Sequence, residues 1–243
     1  MEELTTLIPD RLYLIQDSDF FKFGNDSVFL ANFTRVRTGD IVVDLGTGSG
    51  VIPLLLAFKQ NPGKIIGVEI QKKLVEMAKR SVELNNYQDI IDIKEANFKE
   101  SSTFIKPSSV DLVVSNPPYM PVDRGKITLG EEKAIARHEI YGTLEDLIRE
   151  ASRILRFAGK FAMVHKAARL AEIIALMTKN NLEAKRLRLV QSRKNNPAKI
   201  VLIEAQKGAK PGLVIEPVLL VYKEDSGAYT EEVQEIYGED SYD

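Results

Sequence analysis

The segment Asp44-Leu45-Gly46-Thr47-Gly48-Ser49-Gly50 constrains this chain more than any other. It follows the apolar run Ile41-Val42-Val43 and precedes a helix-forming stretch at 51–60, so three glycines stand at a strand-to-helix turn. A backbone without Cβ atoms at such a turn lets a ligand come close, and turns of this kind belong to α/β sheets. The rest of the chain agrees, since short β-rich runs alternate with amphipathic, helix-length segments from about residue 26 to 206. Strands are expected at 41–45, 64–70, 90–94, 111–115, 160–165, 184–190 and 199–205, and helices at 51–60, 71–85, 143–155 and 169–179. The loop at 191–198 is too short for a crossover, so the last of the seven strands is expected to run antiparallel. Residues 213–222 are expected to add a strand or a surface extension, and 5–23 a small hairpin leading to a helix at 27–33.

The glycine spacing narrows the chemistry. Gly46, Gly48 and Gly50 fall at offsets 0, 2 and 4, whereas a dinucleotide fingerprint has 0, 2 and 5. No Lys-Ser or Lys-Thr follows the turn, which excludes a phosphate-binding P-loop. The Asp44 carboxylate would repel a pyrophosphate but suits a ligand carrying an ammonium or sulfonium group. Glu69 ends the second strand, nineteen residues after Gly50, where a carboxylate can accept both hydroxyls of a ribose.

A second signal is Asn116-Pro117-Pro118-Tyr119, directly after the strand at 111–115. Two prolines cannot continue a sheet ladder, and the residue before a proline is held extended, so Asn116 projects from the carboxyl end of its strand. A planar nitrogen such as an adenine amine is a poor nucleophile because its lone pair is delocalised. The Asn116 side-chain oxygen and the Pro117 carbonyl can bind its two hydrogens and favour the geometry of attack, and Tyr119 offers a face on which a base can stack. The 27 residues from Asn116 to Gly142 have little apolar periodicity, as functional loops often do.

Together these residues resemble the class I S-adenosylmethionine-dependent methyltransferases that act on exocyclic or amide nitrogens. The stretches Phe23-Gly24-Asn25-Asp26-Ser27-Val28-Phe29-Leu30-Ala31 and Ala136-Arg137-His138-Glu139 are most similar to the bacterial tRNA(Val) adenine-N6 methyltransferases, over roughly residues 10–222. The resemblance implies a Rossmann-like α/β fold and methylation of an anticodon-loop adenine next to the anticodon. It implies that Asp44, the glycine turn and Asp26 hold the methionine part of the cofactor, that Glu69 binds the ribose, that Ile70, Asn97 and Phe98 surround its adenine, and that Asn116 borders the cofactor as well as the acceptor. Asn97 stands where related enzymes present Asp, which implies somewhat weaker cofactor binding. Release-factor glutamine methyltransferases share the Asn-Pro-Pro-Tyr element, but they carry a Glu-Pro segment and a helical N-terminal domain that this sequence does not show. Ribosomal RNA and DNA adenines are alternative acceptors.

Composition sets the remaining expectations. There is no Cys and there are only two His, His138 and His165, which gives no basis for a metal cluster. The first 30 residues lack a basic stretch followed by an apolar core, and no apolar run nears the ~20 residues that span a bilayer. A cytoplasmic protein, monomeric or weakly dimeric and with no membrane partner, is expected. Residues 1–222 carry 32 bases against 27 acids, and 223–243 one base against eight acids. We therefore expect a methyltransferase domain at 1–222 and an acidic tail at 223–243 that competes with RNA for basic sites. Eight of those bases lie between 185 and 210 against the single acid Glu204, and Arg193 and Lys194 in the loop are the expected phosphate contacts. Arg124 and Arg137, in the long loop, are further candidates.

Overall fold

The computed structural model describes residues 1–17, 24–118 and 142–238. A hairpin of β1 (Glu2–Ile8) and β2 (Leu12–Asp17) precedes α1 (Asn25–Phe33). The sheet strands are β3 (Ile41–Leu45), β4 (Lys64–Glu69), β5 (Ile91–Glu95), β6 (Val110–Ser115), β7 (Leu155–Lys166), β8 (Leu182–Gln191) and β9 (Ile200–Lys207), with two-residue strands β10 (Val214–Ile215) and β11 (Leu219–Leu220). The helices between and after them are α2 (Val51–Lys59), α3 (Lys72–Leu84), α4 (Leu144–Ile154), α5 (Leu170–Lys179) and α6 (Glu231–Tyr237). All seven expected strands and the expected helices are present.

The sheet runs β10-β8-β9-β7-β6-β3-β4-β5, with β11 also pairing β8. Every pairing is parallel except those of β9, which is antiparallel to both β7 and β8, as its short connection requires. The central strands are apolar on both faces because helices cover both. Val42, Leu112 and Val114 point to a core formed with α1, α2, α3, the hairpin and α6. Val43 and Val113, one residue out of phase, point to a second core formed with α4 and α5. Sequence details set the element ends. Thr143 caps α4 through a reciprocal pair of bonds with Asp146, each 3.1 Å. The expected strand at 160–165 starts earlier because the chain bends at Ala158 (φ 60°) and Gly159, shifting the β6–β7 register but not ending the pairing.

The acidic segment corrects the charge-based reading. Residues through Tyr237 pack into the first core, with Val233 and Ile236 buried, so the charge boundary at Tyr222 is not an edge of the fold. Several of the eight bases at 185–210 are bonded within the fold. Arg186, partly buried, is held between Glu204 and Glu216, Arg188 pairs with Glu232 of α6 at 2.6 Å, and Lys207 donates to two backbone carbonyls. The acidic segment itself bonds Arg188 through Glu232 and Arg193 through the Lys223 and Glu224 carbonyls, as a packed part of the fold does. Among the described residues, no helix is long and apolar enough to cross a membrane.

Candidate active site

Parallel pairing brings the carboxyl ends of β3, β4, β5 and β6 to one edge of the sheet, the edge where open α/β sheets bind ligands. Asp44 is fully buried near the end of β3, and neither of its carboxylate oxygens has a hydrogen-bond partner. Burial pushes its pKa up from 3.8 to about 7; the Thr47 hydroxyl, near but outside hydrogen-bonding geometry, offsets part of this, and the charge of Glu69 adds to it. Buried polar groups are almost always paired, so an orphaned carboxylate and an orphaned Thr47 hydroxyl side by side mark a place for donors from a ligand.

The glycine turn leaves that place open. Gly46 and Gly48 have φ of +80° and +58°, and a Cβ built on either would meet nothing within 4 Å. The N–H groups of Gly46 and Thr47 both donate to the Val68 carbonyl, at 2.9 and 3.0 Å, tying the turn to β4. Gly50 is left-handed (φ +88°) and lies against Ala78 of α3, whose Cβ is 3.3 Å from where a Cβ would sit. Gly50→Ala is therefore expected to cost about 1–2 kcal/mol of stability, the usual penalty for a left-handed L-residue, read from urea unfolding.

Glu69 ends β4 and is only 7% exposed. It accepts three backbone N–H bonds, from Gly48 at 3.0 Å and from Ile70 and Gln71 at 2.9 Å each. Burial raises its pKa, and these donors work against that rise. They also fix the carboxylate at the mouth of the glycine turn. The Gln71 side-chain oxygen beside it is buried without a partner. After β5, the Asn97 side-chain oxygen accepts the Lys99 N–H at 3.0 Å and caps a short 3₁₀ turn, Phe98–Thr103. Phe98 packs against the second core, and Gly142 lies so close that a Cβ there would sit 2.3 Å from the ring.

At the end of β6 the buried Ser115 hydroxyl donates to the Leu45 carbonyl at 2.6 Å, joining the two strand ends. Asp44 stands opposite Val114 in the register, two residues before Asn116. The Asn116 side-chain amide donates to the Ser27 hydroxyl at 2.9 Å, and Pro117 and Pro118 are half-buried beside it. The structure therefore brings Asp44, Gly46, Gly48, Gly50, Glu69, Ile70, Asn97, Phe98 and Asn116 to one edge, with Asp26 on the helix turn that meets Asn116. Tyr119, Arg124 and Arg137 lie outside the described residues. Arg193 is committed elsewhere, its guanidinium bonded to the carbonyls of Lys223 and Glu224 and 6.0 Å from the Tyr222 ring centroid. Lys194 is exposed on the same loop. His165 is buried, accepts the Lys166 N–H, and is pushed down to about 4 by burial and the nearby Arg169 charge, so it is a neutral packed residue. Sequence reasoning assigned Ser27 no role. Its partner is 89 positions away, and no local pattern links them.

Chemically, the edge offers a buried carboxylate for a cation, a second carboxylate for a diol, and an amide acceptor one strand away. Comparisons with known proteins bear on the family and the fold. A family model described as a methyltransferase domain matches residues 37–234. A tRNA1(Val) (adenine(37)-N6)-methyltransferase of Tolumonas auensis is 28% identical over 89% of this chain and 88% of its own length. Its counterpart from Porphyromonas gingivalis is 30% identical over 80% of this chain and 78% of its own length. Among solved structures, a predicted O-methyltransferase from Agrobacterium tumefaciens superposes with a TM-score of 0.71 at 23% identity, covering 88% of this chain and 96% of that one.

Proposed function

The chain belongs to the methyltransferase domain family, and on that premise we propose that it transfers a methyl group from S-adenosylmethionine to the N6 amine of an adenine in tRNA, in the anticodon loop of tRNA(Val). The observation that carries this reading is the partnerless Asp44 carboxylate beside an open glycine turn, on the strand adjacent to the one that ends at Asn116-Pro117-Pro118. The relatives with the same name as each other supply the acceptor.

The residues present fit the cofactor. Asp44 and the Gly46–Gly50 turn take the cationic methionine end, with Asp26 nearby; Glu69 takes the ribose hydroxyls; and Ile70, Asn97 and Phe98 surround the adenine. Bound there, S-adenosylmethionine supplies an electrophilic methyl on a positively charged sulfur. The protein's part is positioning. The Asn116 side-chain oxygen and the Pro117 carbonyl accept the two amine hydrogens and turn the nitrogen's lone pair toward the methyl. Pro118 keeps this segment rigid, and Tyr119 gives the extruded base a stacking face. No strong base is required, because the proton becomes acidic only once the new N–C bond forms. Arg124, Arg137 and Lys194 contact RNA phosphates, with Arg193 supporting the loop that carries Lys194. The enzyme acts in the cytoplasm as a monomer or weak homodimer, without a metal.

The Asp44 assignment has a pH signature. With the native pKa raised from 3.8 to about 7, the ligand-free fold binds a proton that the unfolded chain has lost, so its stability falls as pH rises between those values. A cationic ligand needs the ionised form. Cofactor affinity is therefore expected to climb on the order of tenfold from pH 5.5 to 7.5, and Asp44→Asn to weaken binding and flatten this dependence. Calorimetry at several pH values reads both; a pH-independent wild-type affinity would remove Asp44 from the site. The function itself is tested with methyl-labelled S-adenosylmethionine and, separately, tRNA, ribosomal RNA, DNA and release factor. Label recovered as N6-methyladenosine from tRNA supports it, and label in a glutamine side chain, ribosomal RNA or DNA alone overturns it.

A further inference from the structure

Two prolines fix the backbone after Asn116, but they do not fix its side-chain torsions. The amide donates to the Ser27 hydroxyl on the first turn of α1, at 2.9 Å, a contact that helps to place it. That same turn is gripped from the opposite end of the chain. Tyr237 donates its hydroxyl to the Asn25 side-chain oxygen at 2.7 Å, and the Asn25 amide donates to the Tyr229 hydroxyl at 3.3 Å. Tyr229 stacks on Tyr237 with ring centroids 5.5 Å apart and on Tyr222 at 5.4 Å. Arg193 holds the start of this ladder through the Lys223 and Glu224 carbonyls, and Val233 and Ile236 anchor α6 in the core. The carboxyl-terminal segment and the Asn-Pro-Pro element thus meet on residues 25 and 27 of one helix.

Resting on the reading of Asn116 as the amine acceptor, we propose that Ser27 is a positioning residue for the Asn116 amide. Tyr229 and Tyr237, acting through Asn25, hold Ser27's helix turn in register with it. A misplacement of about 1 Å at a reacting group is enough to cost on the order of a hundredfold in rate, so a hydroxyl that sets the amide's position bears directly on turnover. A tyrosine ladder that merely filled the core would stabilise the fold without moving Asn116.

The test is the Asn116 side-chain amide resonance in the ¹⁵N-labelled full-length protein, identified by its loss in Asn116→Asp. Ser27→Ala is expected to shift it and speed its exchange with solvent by about tenfold, because the amide loses the Ser27 acceptor. Tyr237→Phe removes one hydroxyl from a stacked ring and is expected to move the same resonance in the same direction, by less. A Tyr237→Phe protein that is folded but has an unmoved Asn116 resonance overturns the relay, and an unmoved resonance in Ser27→Ala overturns the proposal altogether. These readouts need no turnover, so they are separate from the success or failure of the proposed reaction. In kinetics, both variants lower kcat with the KM for S-adenosylmethionine unchanged, and Tyr237→Phe adds nothing in the Ser27→Ala background. Multiplying effects would mean that the two residues act independently, against the relay.

Discussion

Asn116→Ala is expected to lower the rate of methyl transfer by about 10²- to 10³-fold, the usual cost of removing one preorganised hydrogen-bonding group at a reacting centre. Cofactor affinity should change little, because in the proposed site Asp44 and the turn after β3 hold the charged end of the cofactor and Glu69 of β4 its ribose. The cause is electronic. An adenine amine shares its lone pair with the ring, and that pair becomes available only when both hydrogens are drawn out of the plane by acceptors. Losing the Asn116 oxygen leaves the Pro117 carbonyl alone to do this. Single-turnover kinetics with saturating cofactor reads the transfer step, and calorimetry reads the binding. Asn116→Ala with a wild-type transfer rate would contradict the acceptor role, and a rate loss matched by an equal affinity loss would place Asn116 on the cofactor.

Truncation after Tyr222 is expected to destabilise the fold by roughly 3 kcal/mol or more, since it removes the buried Val233 and Ile236 side chains, each contributing about 1.5–3 kcal/mol. It also strips the Arg188–Glu232 pair and both tyrosine hydroxyls from Asn25. The charge split alone would predict something else, namely tighter RNA binding by a fold of unchanged stability. Urea unfolding of the full-length and truncated chains distinguishes these outcomes, and equal midpoints would restore the loose-tail reading.

That reversal shows what was legible in the sequence. Strand and helix identities followed from periodicity, and the antiparallel β9 from a loop too short to cross the sheet. The strand-end positions of Asp44, Glu69 and Asn116 could be read because each sits beside a local breaker or turn: the glycines, the start of α3 and two prolines. What escaped was non-local. Nothing in the spacing of Tyr222, Tyr229 and Tyr237 signals a stack, and nothing near Arg188 announces Glu232, 44 residues on. A net-charge count treats every ion as exposed, whereas Arg186 and Arg188 are buried to within 12% and 14% and already paired. Glu69 was legible as a strand-end carboxylate, but its three backbone donors depend on the turn and the start of α3 meeting in space.

The proposed reaction is methylation of one adenine at N6 in a tRNA anticodon loop. Its most direct measurement is methyl incorporation into two unmodified tRNA(Val) transcripts, one intact and one with the adenine next to the anticodon replaced by guanine. One methyl per intact transcript is expected, recovered as N6-methyladenosine, and none on the replaced transcript. Equal labelling of both, or label on an atom other than N6, would contradict it.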